Sequence, residues 1–256
     1  MKLLLKTLIF NTLACAYCMI QPVTFVNTMD FITKSSDKKI ITISPGGLAG
    51  FYMLGVITYI KENYDTRDVQ ILGASAGAWN TLPMLYKGSI TEIVDDILHH
   101  YNDKEISSMY DLQCGLKELI IQNYQDADFD LQRANFATTA VTKSGFEQVI
   151  LTDITTLEQA VDCCFASSHI PFITGKVIHK INNKNLFDGG FINFPPKELE
   201  HCLNIAPNMW KSKTTESLQE LLNINNILKF RNYYSIGYDD SKTNKLILDN
   251  YLTAQE

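Results

Sequence analysis

The sequence has no surplus of basic residues. Its 256 residues carry 22 Lys and Arg against 28 Asp and Glu, a formal net charge of −6. Phosphate backbones are bound through a basic excess, so nucleic acid is not the expected partner. The N-terminal apolar stretch is broken by Lys6, Asn11 and Thr12. It is short for a spanning helix, which needs about 20 apolar residues. No internal repeat and no low-complexity tract is present, which excludes solenoids and biased linker proteins. Metal-site spacings are missing too. Cys15-x-x-Cys18 has no second ligand pair, and Asp95-Asp96 and Asp239-Asp240 lack the pattern of a calcium or magnesium loop and read as solvated turns. Cys163 and Cys164 are neighbours on an expected helix, point in different directions, and read as core fillers.

What is present is a globular composition, 46% hydrophobic and 20% charged. That excludes disorder, collagen-like repeats and a long coiled coil. The length suffices for a core without disulfides. Residues 1–20 open with Lys2 and Lys6, turn apolar at Leu8 and contain Ala14-Cys15-Ala16, a cleavage-like pattern. They read as a signal peptide or membrane anchor, which predicts a secreted or membrane-associated protein. The alternative is a cytoplasmic protein with an ordinary N terminus. Residues 21–38 read as a linker, and 39–256 as one domain with a motif core at 39–200 and a helical C-terminal extension at 201–256.

Within the domain, residues 38–44 (KKIITIS) predict a short strand. A helix follows with Met53, Val56, Ile57, Ile60 and Tyr64 on one face. VQILGAS, residues 69–75, predicts a second buried strand, and a helix from Ala76 that Pro83 should end or kink. Helices are predicted at 91–100 and 111–124, and two strands around Lys143-Ser144-Gly145. A helix at 155–166 is capped by Thr155 or Thr156. A hairpin turns at Asn182–Asn185. Leu218, Leu221, Leu222 and Leu228 predict a helical tail. Strands alternating with helices imply an α/β sheet with helices on its faces.

Three short motifs carry chemistry. Gly73-Ala74-Ser75-Ala76-Gly77 lies between a strand and a helix, the setting of a nucleophile elbow. Its glycines permit a sharp turn, and the helix N terminus favours negative charge near the Ser75 hydroxyl. The plainer reading is a tight turn with a helix-capping serine. Ser44-Pro45-Gly46-Gly47-Leu48-Ala49-Gly50 also joins a strand to a helix. Paired glycines let backbone N–H groups face an open site, as an oxyanion hole requires. The loop fits neither the Gly-x-Gly-x-x-Gly dinucleotide pattern nor a Gly-Lys-Ser/Thr phosphate loop. Asp188-Gly189-Gly190 ends an expected strand, placing a carboxylate that can serve Ser75 as a base. An ordinary Asp-Gly turn is the competing reading. The order Ser75, Asp188, His201 mimics a triad, but His201 sits in the polar stretch KELEHCLN with no His-Gly oxyanion motif before Ser75. His169 reads as a core or site-lining histidine, Trp79 and Trp210 as packing residues.

Together, PGGLAG, GASAG and DGG, in this order and spacing, resemble the patatin-like phospholipase family, and ASSHIPF at 166–172 is similar to its segment before the aspartate. The resemblance spans 39 to about 200. It implies a three-layer α/β/α sandwich with a central mixed, mostly parallel sheet. It implies a lipid acyl hydrolase of phospholipase A or lysophospholipase type, with Ser75 as nucleophile and Asp188 as proton acceptor. The amides of Gly46 and Gly47 would form the oxyanion hole, with Gly50, Gly73, Gly77, Gly189 and Gly190 as motif glycines. No metal or cofactor is implied. The expected partners are an acyl-lipid substrate and a membrane surface. Burial of Asp188 near the serine is expected to raise its pKa. Two positions depart from the family pattern: Pro45 replaces a glycine and offers no N–H, and Ala49 stands where many members carry Arg or Lys. A catalytically silent lipid-binding protein of the same fold is the alternative.

Overall fold

The computed structural model describes residues 22–101, 106–175, 177–210, 224 and 228–255. The segment expected to be a leader, Cys15 and Cys18, and the tail leucines 218, 221 and 222 lie outside them. In chain order the elements are β1 (Thr24–Asn27), α1 (Thr28–Lys34), β2 (Lys39–Ile43), α2 (Gly50–Asn63), β3 (Tyr64–Asp65), β4 (Val69–Ala74), α3 (Ala76–Leu85), α4 (Ile90–His100) and α5 (Met109–Asn123). They continue with β5 (Ala134–Thr142), β6 (Gly145–Thr152), α6 (Leu157–Ser167), β7 (His179–Ile181), β8 (Lys184–Phe187), β9 (Leu203–Ile205), α7 (Leu228–Thr243), α8 (Lys245–Leu248) and β10 (Thr253–Ala254).

The main sheet runs β1-β6-β5-β4-β2-β9, with β8 on β5 and β7 on β8. β9, β2, β4 and β5 are mutually parallel, and the remaining pairings are antiparallel. β2 and β4 are apolar on both faces because both are covered. Ile41, Ile43, Ile71 and Phe136 belong to the large core that the helices α2 to α6 complete. Ile40, Leu72, Ala74, Ala137 and Ile150 form a thinner core beneath Phe31 of α1 and Leu199. The chain is thus an α/β protein with a mixed sheet between helical layers of unequal depth.

Five expectations need correction. The segment expected to be a linker contains β1 and α1. β1 pairs with β6, Val26 and Phe31 are buried, and the Asn27 side chain accepts the Asp30 N–H at 2.8 Å as helix cap. A four-residue strand shows no period until its partner is known. The C-terminal region is not only helical, since β9 extends the sheet along β2 and β10 pairs with β3. α2 is buried all round from Phe51 to Ile60 rather than on one face, because α7 lies across its back. A Cβ on Gly55 would come within 2.1 Å of Tyr234 O, and one on Gly237 within 2.0 Å of Tyr52 O, so the two backbones touch. The Tyr52 hydroxyl donates to Asp240, which sits on α7 and not in a solvated turn. Finally, α3 runs through Pro83 to Leu85. Pro83 falls in the last turn, where one lost N–H is tolerable. Lys61 caps that end by donating to Pro83 O at 3.3 Å and to Tyr86 O. Burial, helped by Arg133, brings its pKa down to about 8.

Other expectations match in detail. Thr156 accepts the Gln159 N–H at 3.2 Å and caps α6. The β7–β8 hairpin turns on Asn182 and Asn183, both at positive φ. Cys163 and Cys164 are fully buried.

Candidate active site

β5 acts as the template of the site. β4 lies parallel along it from Ile71–Ala134 to Ala74–Ala137, and β8 lies antiparallel at Thr139 and Ala140. β6 occupies the other edge, so β4 and β8 meet head-on along one edge. Ser75 follows the end of β4 and Asp188 the end of β8, which brings them to the same junction.

Ser75 sits at φ 54°, ψ −120°, in the left-handed region and immediately before α3. Such a conformation costs a non-glycine residue roughly 1–3 kcal/mol, and it turns the side chain out of the strand line. Close packing leaves no room for another path. A Cβ on Gly77 would be 2.0 Å from Ile43 O, and one on Gly73 2.4 Å from Gly77 O. The helix therefore starts hard against the ends of β2 and β4. The Ser75 N–H donates to Ser167 Oγ at 2.9 Å, and Ser167 Oγ donates to Ala137 O at 2.6 Å.

Asp188 is fixed through its backbone. Its N–H donates to His169 O at 2.8 Å, and its carbonyl accepts from Thr139 Oγ1 at 2.9 Å. The Gly189 N–H donates to Ser167 O at 2.8 Å, so Ser167 touches both sides of the site. In the side chain, Oδ1 accepts the Gly190 N–H at 2.7 Å, while buried Oδ2 has no geometrically complete hydrogen bond among the described residues. Burial pushes the Asp188 pKa up to about 6. The adjacent Ser75 hydroxyl and the Gly190 N–H stabilise the carboxylate and act in the opposite direction.

The Gly46–Gly47 loop closes the third side. Ser44 anchors it, with N–H to Ile205 O at 2.8 Å and Oγ to Asn204 Oδ1 at 2.9 Å. Gly47 takes φ 52°, which suits glycine. Among the described residues, neither the Gly46 nor the Gly47 N–H is paired with a backbone acceptor. Pro45 packs towards Gly190, where a Cβ would meet it at 2.9 Å. Ala49 is buried and does not line the cavity. Gly50 lies against Ala76, and its carbonyl accepts from Asn80 Nδ2 at 2.9 Å.

These groups open into a cavity of about 710 Å³, within the range of about 300–1,000 Å³ usual for small-molecule sites. Ser75, Asp188, Gly46 and Gly47 all line it. Its walls are mainly apolar, from Phe51, Leu54, Ile97, Met109, Leu112 and Leu116. Asp188 is the one charged side chain among the lining residues described. None of His99, His100, His169, His179 and His201 lines it, and His201 is exposed. His169 is buried with Nε2 unpaired, and it serves the site through its carbonyl.

Several members of the site carry no functional signal in the sequence. Trp79 lines the cavity and donates from Nε1 to Ser168 Oγ at 3.1 Å, so it is more than packing. Gln113 Nε2 donates to the same hydroxyl at 3.0 Å, leaving its buried Oε1 without a partner. Ser167 and Ser168 carry no signature beyond their place in ASSHIPF.

An alcohol on a strained turn, a buried carboxylate beside it and two glycine amides without a backbone acceptor among the described residues, all around an apolar cavity, are the parts of an acyl-transfer site. No curated protein matches the chain. The patatin-like phospholipase family model matches residues 41–199, from β2 past the Asp188 turn. With that match covering most of the chain and all three motifs, the protein belongs to the patatin-like phospholipase family.

Proposed function

We propose that the chain is a serine lipid acyl hydrolase of phospholipase A or lysophospholipase type, working through a Ser75–Asp188 dyad. One observation carries this reading. Ser75 and the buried Asp188, whose carboxylate the Ser75 hydroxyl stabilises, line one apolar cavity beside the Gly46 and Gly47 amides, which have no backbone acceptor among the described residues. In a catalytically silent descendant nothing maintains a strained serine next to a buried carboxylate.

In the proposed reaction an ester carbonyl lies between Ser75 Oγ and the Gly46–Gly47 loop. Asp188 takes the Ser75 proton as Oγ attacks the carbonyl carbon. The two amides receive the oxyanion, each donor being worth about 2.7–4 kcal/mol in comparable sites. Asp188 returns the proton to the departing alcohol, leaving an acyl group on Ser75. Water then gives a proton to Asp188 and attacks the acyl-enzyme, and collapse of this second intermediate releases the fatty acid and restores Ser75. A dyad suffices here because Asp188, with its pKa near 6, is a stronger base than an exposed carboxylate. The acyl chain occupies the apolar wall formed by α2, α4 and α5. Residues 1–20 are proposed to deliver the enzyme to a membrane or out of the cytoplasm. No helix among the described residues is long and apolar enough to cross a membrane.

The test is release of free fatty acid from a panel of phospholipids, lysophospholipids and triacylglycerols by wild type, Ser75→Ala and Asp188→Asn. Release by wild type alone supports the reading. No release by wild type from any of them favours the silent alternative, and undiminished release by Ser75→Ala rules out the nucleophile.

A further inference from the structure

The cavity opens onto a patch of large apolar side chains that no described residue covers. Ile173 and Phe191 line the cavity and are also 41% and 60% exposed. Beside Ile173, Phe172 is 81% exposed and sits at φ 65°, a strained conformation for a bulky residue. From Phe191 the aromatic surface continues through Phe187, whose ring centroid is 6.4 Å away, to Phe146, a further 6.3 Å on and 69% exposed. Phe146 pairs across the β5–β6 hairpin with exposed Val141. Three separate segments, the loop after α6, the turn after β8 and the tip of the hairpin, thus present apolar side chains that connect to the cavity through Ile173 and Phe191. Scattered surface apolar residues need no explanation, but a contiguous patch marks an interaction surface.

We infer that this rim, with Phe172, Phe191 and Phe146 at its centre, seats the protein on the surface of a lipid aggregate and feeds the acyl chain directly into the cavity. The occupant follows from continuity. The patch shares Ile173 and Phe191 with the cavity wall, so whatever covers it also meets the acyl site. A lipid–water interface fits, since it supplies an apolar phase and an ester at the same depth. A protein partner there would block the entrance. With a net charge of −6 the protein gains little from anionic headgroups, so contact is apolar and independent of lipid charge. This rests on the acyl-hydrolase reading for its purpose but not for its test.

The experiment uses the full chain carrying Ser75→Ala, so that lipid is bound and not consumed, and vesicles of zwitterionic phosphatidylcholine. Cosedimentation is expected at low and high salt alike. Adding Phe146→Ser and Phe172→Ser, neither of which lines the cavity, should weaken vesicle affinity at least tenfold with thermal melting unchanged. In the active chain the same pair should lower hydrolysis of vesicle lipid to a similar extent and leave a monomeric short-chain ester unaffected. Equal binding with and without the pair would overturn the inference. So would binding that needs anionic lipid and vanishes in salt, or a dimer that the pair dissociates. Should wild type hydrolyse no ester while the pair still abolishes vesicle binding, the acyl-hydrolase reading fails and the lipid-docking rim stands.

Discussion

The Ser167 hydroxyl bridges the two strands of the site: it accepts the Ser75 N–H at 2.9 Å and donates to Ala137 O at 2.6 Å. Ser167 O also receives the Gly189 N–H. One small residue at the end of α6 therefore registers the serine turn against the aspartate turn. Ser167→Ala removes the acceptor of the buried Ser75 N–H and the hydroxyl donor to Ala137 O, at an expected cost of about 1–3 kcal/mol. Activity should fall about tenfold or more, mainly in kcat, because Ser75 loses its alignment while the acyl cavity is untouched. Denaturant melts and steady-state kinetics on one substrate check both effects.

The strain at Ser75 gives a second prediction. Both Ser75→Ala and Ser75→Gly should abolish ester hydrolysis under the proposed mechanism, by a factor of about 10³ or more. They should differ in stability. Alanine keeps a Cβ in the left-handed region, whereas glycine does not, so Ser75→Gly should be the more stable by about 1 kcal/mol or more. Thermal melting of the two variants side by side decides this.

Asp188 links activity and stability through pH. Its ordinary pKa near 3.8 rises to about 6 in the fold, chiefly by burial. Between those values the folded chain holds a proton that the unfolded chain has released. Stability from this group is therefore complete below about pH 4 and lost as pH rises through 6, a deficit of about 3 kcal/mol once Asp188 is ionised. Asp188→Asn should match wild type near pH 4 and exceed it at pH 7 while being inactive. In wild type, kcat/KM should climb with pH with an apparent pKa near 6, since the ionised carboxylate is the proposed base. A profile flat from about pH 4 to pH 8 would exclude that role.

The apolar wall should set the longest acyl chain accepted. Leu116 lines the cavity and is half-buried, so it can accept a larger side chain without bursting the core. Leu116→Trp should lower turnover of long-chain esters at least tenfold and spare butyryl esters. Comparing kcat/KM across chain lengths measures this directly.

Much of the site was legible because each motif is contiguous. GASAG shows the strand, the turn and the helix start within one window, and the glycine-rich loop before α2 does the same. What the sequence could not display is how they meet. Asp188 reaches Ser75 because β8 abuts the end of β4 along β5, a relation between segments more than a hundred residues apart. Ser167, Trp79 and Gln113 belong to the site by packing alone. β1 and β9 were missed for another reason, since strands of four and three residues have too few positions to show alternation. Pro83 misled because its position within the helix, not its presence, decides the damage.

The contact of α7 with α2 through Gly55 and Gly237 bears on how this domain is inherited. The family match ends at residue 199, yet the helix that follows the Gly46–Gly47 loop is braced from behind by residues past 228. β9, which anchors Ser44, also lies beyond the match. A fragment exchanged between relatives at that border would carry every motif and leave its scaffold behind. The unit that must travel together in evolution is longer than the stretch that identifies it.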